Sequence, residues 1–170
     1  ECDWSSDVCS SDLRYINMKK FIGVIAGAFA LLAATSVQAQ DKNWFAGPNV
    51  GATWTQGAQL GFNGGYQVNK YFGVETVYDH VFNAANALDQ VGANLVLGYP
   101  VSGTKLTPYA LTGLGYQWQG GINQGMWNVG GGVKIELAKD VDMDVRYRYV
   151  QGMYNQTNAN MVTLGTTFRF

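Results

Sequence analysis

The sequence predicts an all-β chain that closes as an eight-stranded antiparallel up-and-down transmembrane β-barrel. Three observations predict it. After about position 40, apolar residues alternate with polar or small ones at a period of two, in eight successive segments. Charged residues are scarce there, about 12% against the ~25% usual for soluble domains. Aromatic residues collect near the ends of the alternating segments, where a membrane-crossing strand meets the headgroups.

The first segment, 44–54, places Trp44, Ala46, Pro48, Val50, Ala52 and Trp54 on one face and Phe45, Gly47, Asn49, Gly51 and Thr53 on the other. In the second, 60–68, Leu60, Phe62, Tyr66 and Val68 oppose Gly61, Asn63, Gly65 and Gln67. The third, 72–79, sets Phe72, Val74, Thr76 and Tyr78 against Gly73, Glu75, Val77 and Asp79. In the fourth, 91–99, Val91, Ala93, Leu95, Leu97 and Tyr99 face away from Gly92, Asn94 and Val96. The fifth, 109–118, sets Leu114, Tyr116 and Trp118 against Gly113, Gly115 and Gln117. In the sixth, 127–137, Trp127, Val129, Val133 and Ile135 oppose Asn128, Gly130, Gly132, Lys134 and Glu136. The seventh, 141–149, sets Val145, Tyr147 and Tyr149 against Asp142, Asp144, Arg146 and Arg148. The eighth, 160–170, carries Val162, Leu164, Phe168 and Phe170 on one side and Thr163, Thr167 and Arg169 on the other.

An even number of strands lets the first pair with the last, and closure removes exposed edges. Strands of ~9–11 residues tilted ~45° span a bilayer. The connections 69–70, 100–105 and 138–140 are expected at the end that carries both chain termini. The connections 55–59, 82–89, 119–124 and 150–159 are expected at the other end and are on average longer.

Periodicity alone does not say which face points outward. The polar face is rich in glycine as well as charge, which suits the crowded interior of an eight-stranded barrel. The apolar face carries Trp44, Trp54, Tyr66, Phe72, Tyr78, Tyr99, Trp118, Trp127, Tyr149 and Phe170 near strand ends, as two interfacial girdles require. The apolar face is therefore expected to meet lipid.

The first forty residues are not expected to be part of the barrel. Met18-Lys19-Lys20 precedes an apolar run over 21–34 and then Thr35-Ser36-Val37-Gln38-Ala39, the pattern of a secretory signal peptide over 18–39. The run is shorter than the ~20 residues of a spanning helix. Residues 1–17 fit no signal peptide. The stretch 3–13 back-translates to a sequencing-library adapter, and residues 1–17 are expected to be a non-native leader. Both cysteines, Cys2 and Cys9, fall in it, so the barrel at 40–170 has no disulfide, thiolate nucleophile or cysteine metal site. That stretch carries eight cations and eight anions, which implies no nucleic-acid partner.

With the signal peptide, the eight strands, the segments Tyr71-Phe72-Gly73-Val74-Glu75 and Thr107-Pro108-Tyr109, and a terminal Phe in place, the chain resembles the small bacterial outer-membrane barrels of the OmpA membrane-domain and OmpX type. The resemblance implies a Gram-negative outer membrane. It implies a carboxy-terminal strand, with Phe168 and Phe170, that is read by the barrel-insertion machinery after handling by periplasmic chaperones. It also implies membrane lipid and lipopolysaccharide as partners. Full OmpA proteins continue past the barrel into a peptidoglycan-binding segment; a cell-wall tether is not expected here.

The inward charges Glu75, Lys134, Glu136, Asp144, Arg146, Arg148 and Arg169 are expected to form a lumen ion-pair network, since an unpaired buried charge is strongly destabilising. Glu75 is expected to reach across to Arg146 or Lys134, an arrangement that resembles the interior salt-bridge cluster of OmpA-type barrels. Catalysis is not expected. Ser102 and His80, the lone serine and histidine of 40–170, fall at opposite ends of the strands, out of the reach a nucleophile and base need. One histidine and no cysteine supply no transition-metal site, and Gly130-Gly131-Gly132 lies mid-strand with no following helix to bind phosphate. No cofactor is expected. The expected function is structural, in envelope integrity. The alternatives are a narrow gated pore for ions or small solutes, and surface adhesion through the external loops.

Overall fold

A computed structural model describes residues 43–54, 57–82, 87–154 and 158–170. The proposed leader and signal peptide lie outside the described residues. The strands are β1 (Trp44–Thr53), β2 (Gly57–Gln67), β3 (Phe72–Val81), β4 (Leu88–Gly98), β5 (Leu106–Gln119), β6 (Ile122–Ala138), β7 (Val141–Gly152) and β8 (Asn158–Arg169). Each pairs antiparallel with its sequence neighbour, and β1 pairs with β8 to close the barrel. Closure matters because hydrocarbon offers backbone N–H and C=O groups no partner, so every strand must find two neighbours.

Burial follows the alternation. In β7, Asp142, Asp144, Arg146, Arg148 and Val150 are buried, while Val145 and Tyr147 between them are exposed. In β4, Asn94 and Val96 are buried while Leu95 and Leu97 are exposed. The apolar face is thus the outer wall and the polar face the lumen.

The connections depart from expectation. Those at the far end from the chain termini, 54–56, 82–87, 120–121 and 153–157, are no longer on average than 68–71, 99–105 and 139–140. The strands themselves run further than the alternation suggested, chiefly at the far end. The stretch 119–124, expected as a loop, is mostly strand. Only Gly120 and Gly121 turn, at φ 54° and 88°, the double left-handed conformation of a tight type I′ hairpin that glycine adopts without strain. At the near end, Asn69 Oδ1 accepts hydrogen bonds from the Tyr71 and Phe72 backbone N–H groups at 2.8 and 2.9 Å, which fixes the β2–β3 turn.

Candidate functional site

The lumen holds the charged residues, and its contents change along the axis. At mid-depth, Arg146 on β7 reaches across to Glu75 on β3. Its Nη1 and Nη2 donate to the two Glu75 carboxylate oxygens at 2.6 and 3.1 Å, a bidentate pair. The Arg146 side chain is 6% exposed and that of Glu75 is fully buried. Arg146 Nη2 also donates to Asp144 Oδ2 at 2.7 Å, and its Nε donates to Tyr109 Oη at 2.8 Å. The Tyr109 hydroxyl in turn donates to Asp144 Oδ1 at 2.6 Å. Asn94 Nδ2 donates to Glu75 Oε1 and Asn128 Nδ2 to Asn94 Oδ1, both at 3.0 Å. One guanidinium therefore serves two carboxylates, and the phenol and amides occupy lone pairs that would otherwise be stranded.

Glycine makes the room. On β6, Gly130 and Gly132 stand in register with Arg148 and Arg146. A Cβ on Gly132 would fall 2.7 Å from the Tyr109 hydroxyl, and one on Gly130 would fall 2.9 Å from the Arg148 Cα. The space at Gly132 thus takes the Tyr109 ring and hydroxyl, and Gly130 lets the β7 backbone approach closely.

A second cluster lies nearer the far end. Arg148 pairs with the buried Asp79 carboxylate, to which Gln59 Nε2 also donates at 2.5 Å. Arg148 Nη2 sits 3.6 Å from the Met161 sulfur. Beyond it an apolar cluster lies among the buried amides Gln59, Gln90, Gln117 and Gln124. Val81, Leu88, Met126, Val150, Ala159 and Met161, from five strands, are buried against one another in that part of the lumen. These residues occupy inward positions.

The expected network is thereby redistributed. Glu75, Asp144 and Arg146 come together. Arg148 goes instead to Asp79, which shares its face with Glu75. Lys134 is not what Glu75 reaches. Its ammonium lies 4.4 Å from the Phe45 ring centroid and 5.7 Å from that of Tyr109, a cation–π arrangement. Glu136 stands apart: it is exposed at the near mouth, in register with the like-charged Asp142, beside a register shift between Glu136 and Ala138. Arg169 pairs with Asp142 at 2.7 Å, partly exposed. Sequence reasoning missed Asp79, Tyr109, Asn94, Asn128 and Gln59. The inward parity of Asp79, Tyr109, Asn94 and Asn128 was legible, whereas Gln59 fell in a stretch expected as a loop and lies in β2; that these side chains would come within bonding distance across the lumen was not legible.

On the outer wall the aromatics form two bands. Trp44 and Tyr66 meet edge to face at 5.0 Å near the chain termini, a band completed by Phe72 and Tyr99. Trp54 with Tyr147, Trp118 with Tyr116, and Trp127 with Tyr149 lie at 6.0, 5.4 and 5.8 Å towards the far end, where Tyr78 also sits. Phe168 is exposed on the wall, and the Phe170 backbone N–H donates to Trp44 O at 3.0 Å.

Ser102 lies in the 99–105 connection and His80 at the other end of β3. His80 Nδ1 is 2.8 Å from Asp89 Oδ1, and the Tyr78 hydroxyl donates to the same oxygen at 2.7 Å. The partner of His80 is therefore Asp89 across the hairpin, not Asp79 beside it in sequence. No cluster of three or more metal-ligating residues occurs among the described residues.

A family model described as the outer membrane protein beta-barrel domain matches residues 27–170. Outer membrane protein A of Escherichia coli O157:H7 is 26% identical over 195 residues, covering 90% of this chain and 55% of that protein. The chain thus spans about half the length of that relative. Among solved structures, the N-terminal β-barrel domain of Pseudomonas aeruginosa OprF superposes with a TM-score of 0.66 at 17% identity, covering 76% of this chain and 98% of that one. Neisserial surface protein A does so at 0.64, 17%, 76% and 98%. The same fold is shared by the outer-membrane enzyme PagL, with a TM-score of 0.54 at 12% identity over 74% of this chain and 99% of that one. The closed eight-stranded barrel, its apolar wall and the match along most of its length lead to one assignment: the chain belongs to the outer membrane protein beta-barrel domain family and is a protein of the Gram-negative outer membrane.

Proposed function

We propose that this protein is a closed, non-enzymatic barrel with a structural role in the envelope. The observation that carries this reading is the apolar filling of the far lumen by Val81, Leu88, Met126, Val150, Ala159 and Met161. An apolar constriction of this kind opposes ion entry, although buried amides such as Gln90 and Gln124 stand beside it. On this reading the partners lie around the wall: membrane lipid, with lipopolysaccharide beside the outer aromatic band. The insertion machinery and periplasmic chaperones act during assembly.

The second reading is a narrow gated pore. It is favoured by the Glu75–Arg146 pair, which crosses the lumen at mid-depth and would block a water path when closed. The two readings part on one experiment. Residues 40–170 are refolded into planar bilayers and single-channel conductance is recorded for the wild type, for Glu75→Ala, and for Glu75→Ala combined with Met126→Gly and Met161→Gly. The closed barrel expects silence from the first two and openings only from the triple variant. Steady openings in the wild type, raised by Glu75→Ala alone, would overturn it in favour of the pore. Insertion is checked by protease protection, so that silence is not failure to enter.

A further inference from the structure

Asp89, at the start of β4, is turned outward: it is part-exposed between the buried Leu88 and Gln90. Among the described residues, every other carboxylate of the eight strands takes an inward position. An outward charge is costly at the bilayer midplane and nearly free at an interface, and Asp89 stands at the far end, level with the outer aromatic band. His80 of β3 and Trp118 of β5 flank it in register, so the three side chains form one outward row with Cβ atoms about 5 Å apart. The Tyr78 hydroxyl and His80 Nδ1 both bond Asp89 Oδ1, at 2.7 and 2.8 Å. An ionised carboxylate only accepts, so Nδ1 carries the ring proton and Nε2 of the neutral ring is an acceptor. A carboxylate offers about four acceptor sites, so Asp89 keeps capacity for further donors. Aromatic rings border the row. The exposed Phe82 meets the His80 ring edge to face at 4.6 Å, and Tyr116 meets Trp118 likewise at 5.4 Å.

We propose that the row His80–Asp89–Trp118 is a binding site for a sugar headgroup of the outer-leaflet glycolipid, held through its hydroxyl groups and not through phosphate. Placing it there rests on the reading that lipopolysaccharide lies beside the outer aromatic band. Three features select this occupant. The Asp89 carboxylate and His80 Nε2 are acceptors on neighbouring strands, and the hydroxyls of a sugar ring are donors; their bonds to a carboxylate are charge-assisted. The bordering rings suit the same ligand, because the C–H bonds on a sugar's face carry slight positive charge and settle against the negative face of an aromatic ring. Charge disfavours phosphate: Asp89 repels it, and the stretches 76–92 and 114–124 contain no lysine or arginine to hold it. A divalent cation fits poorly as well, since it takes six or more oxygen ligands and this row offers one carboxylate, with two hydrogen bonds already on one oxygen.

The test titrates the refolded barrel, in zwitterionic micelles, with lipid A stripped of its phosphates, and counts retained lipid by native mass spectrometry. The wild type is expected to retain one molecule saturably and to prefer it to phosphatidylglycerol. Asp89→Leu is expected to weaken retention about tenfold or more, as the loss of a charge-assisted hydrogen bond should, and Trp118→Leu to weaken it as well. Val145→Ala, on β7 and away from the row, is expected to leave it unchanged. Retention that neither site variant weakens would overturn the site while leaving glycolipid beside the band. No preference over phosphatidylglycerol would overturn both. Binding confined to intact lipid A and lost in EDTA would also overturn the site, since Asp89 would then hold a divalent cation against phosphate. Should the site variants fail to refold, the wild type decides: the same titration is expected to shift the Trp118 indole N–H resonance, and an unmoved resonance at full retention overturns the site.

Discussion

The middle of the lumen and its far end are built from inward positions of the same strands, and they solve the problem of a filled interior in opposite ways. On β3, Glu75 and Asp79 are ionic and Val81 is apolar. On β7, Asp144, Arg146 and Arg148 give way to Val150. The ionic region depends on matched partners, because each desolvated charge is costly unless its pair is in place. The apolar region depends only on volume, because methyl groups contact whatever fits. Damage to the two should therefore differ in kind. Loss of one ion-pair member exposes a penalty held by its partners, whereas loss of one plug residue costs its own burial and the hole left behind.

The largest effect expected is that of Arg146→Leu. It strands Glu75 and removes the cation beside Asp144, while the hydrophobic volume is roughly kept. Stability measured by urea unfolding in lipid vesicles is expected to fall by about 3–5 kcal/mol, the range seen when one partner of a buried pair is removed. A loss below about 1 kcal/mol would mean that the carboxylates find water in the lumen, and the contrast between the two regions would fail.

Met126→Ala should cost somewhat less, about 2–4 kcal/mol, as a core truncation that leaves a cavity. The apolar region makes a further prediction that the ionic one does not: its volume can be supplied from elsewhere. A Cβ on Gly92 would meet the Met126 Cε at 3.5 Å and the Val77 Cγ1 at 3.6 Å, ordinary contacts. Gly92→Ala added to Met126→Ala is expected to restore about 1 kcal/mol, close to the worth of one buried methyl group. If Gly92→Ala instead deepens the loss in the same unfolding assay, the plug is not a volume-filling core.

What the sequence made legible divides along the same line. Strand number, facing and closure followed from period two, because lipid imposes one simple rule on every outward position. Val145 and Tyr147 obey it as plainly as Leu95 and Leu97. The lumen obeys no such rule. Arg146 and Arg148 have the same parity and neighbouring glycines, yet one finds Glu75 and the other Asp79, since partner choice is set by stagger across the barrel. Met126, Val150 and Met161 gave no sign that they cluster, because residues from separate strands meet only once the ring is closed. Loop lengths misled for a local reason: Gly120-Gly121 is a complete turn in two residues, so the flanking residues that looked like loop extend the strands.

The smallest effect expected is at the near mouth, where Asp142 is still buried but its partner Arg169 is open to solvent. Arg169 Nη2 lies 2.7 Å from Asp142 Oδ1, as close as the Arg146 contact to Asp144, but the Arg169 side chain is 39% exposed and that of Asp142 is 10%. Water and counterions can reach the guanidinium, so its loss leaves Asp142 partly solvated rather than stranded. Arg169→Gln is expected to cost about 0–1 kcal/mol in the same assay, a typical value for a solvated pair. Most of that cost should vanish at high salt, because the screening length falls from ~10 Å at 0.1 M to ~3 Å at 1 M. Arg146→Leu should keep its full cost under the same change, since salt cannot follow a charge into a desolvated lumen. Two pairs of nearly equal length would then differ severalfold in energy, one sensitive to salt and the other not, and depth in the barrel, not distance, would account for both. A salt-insensitive loss at Arg169, equal to that at Arg146, would show that the near mouth is as dry as the centre.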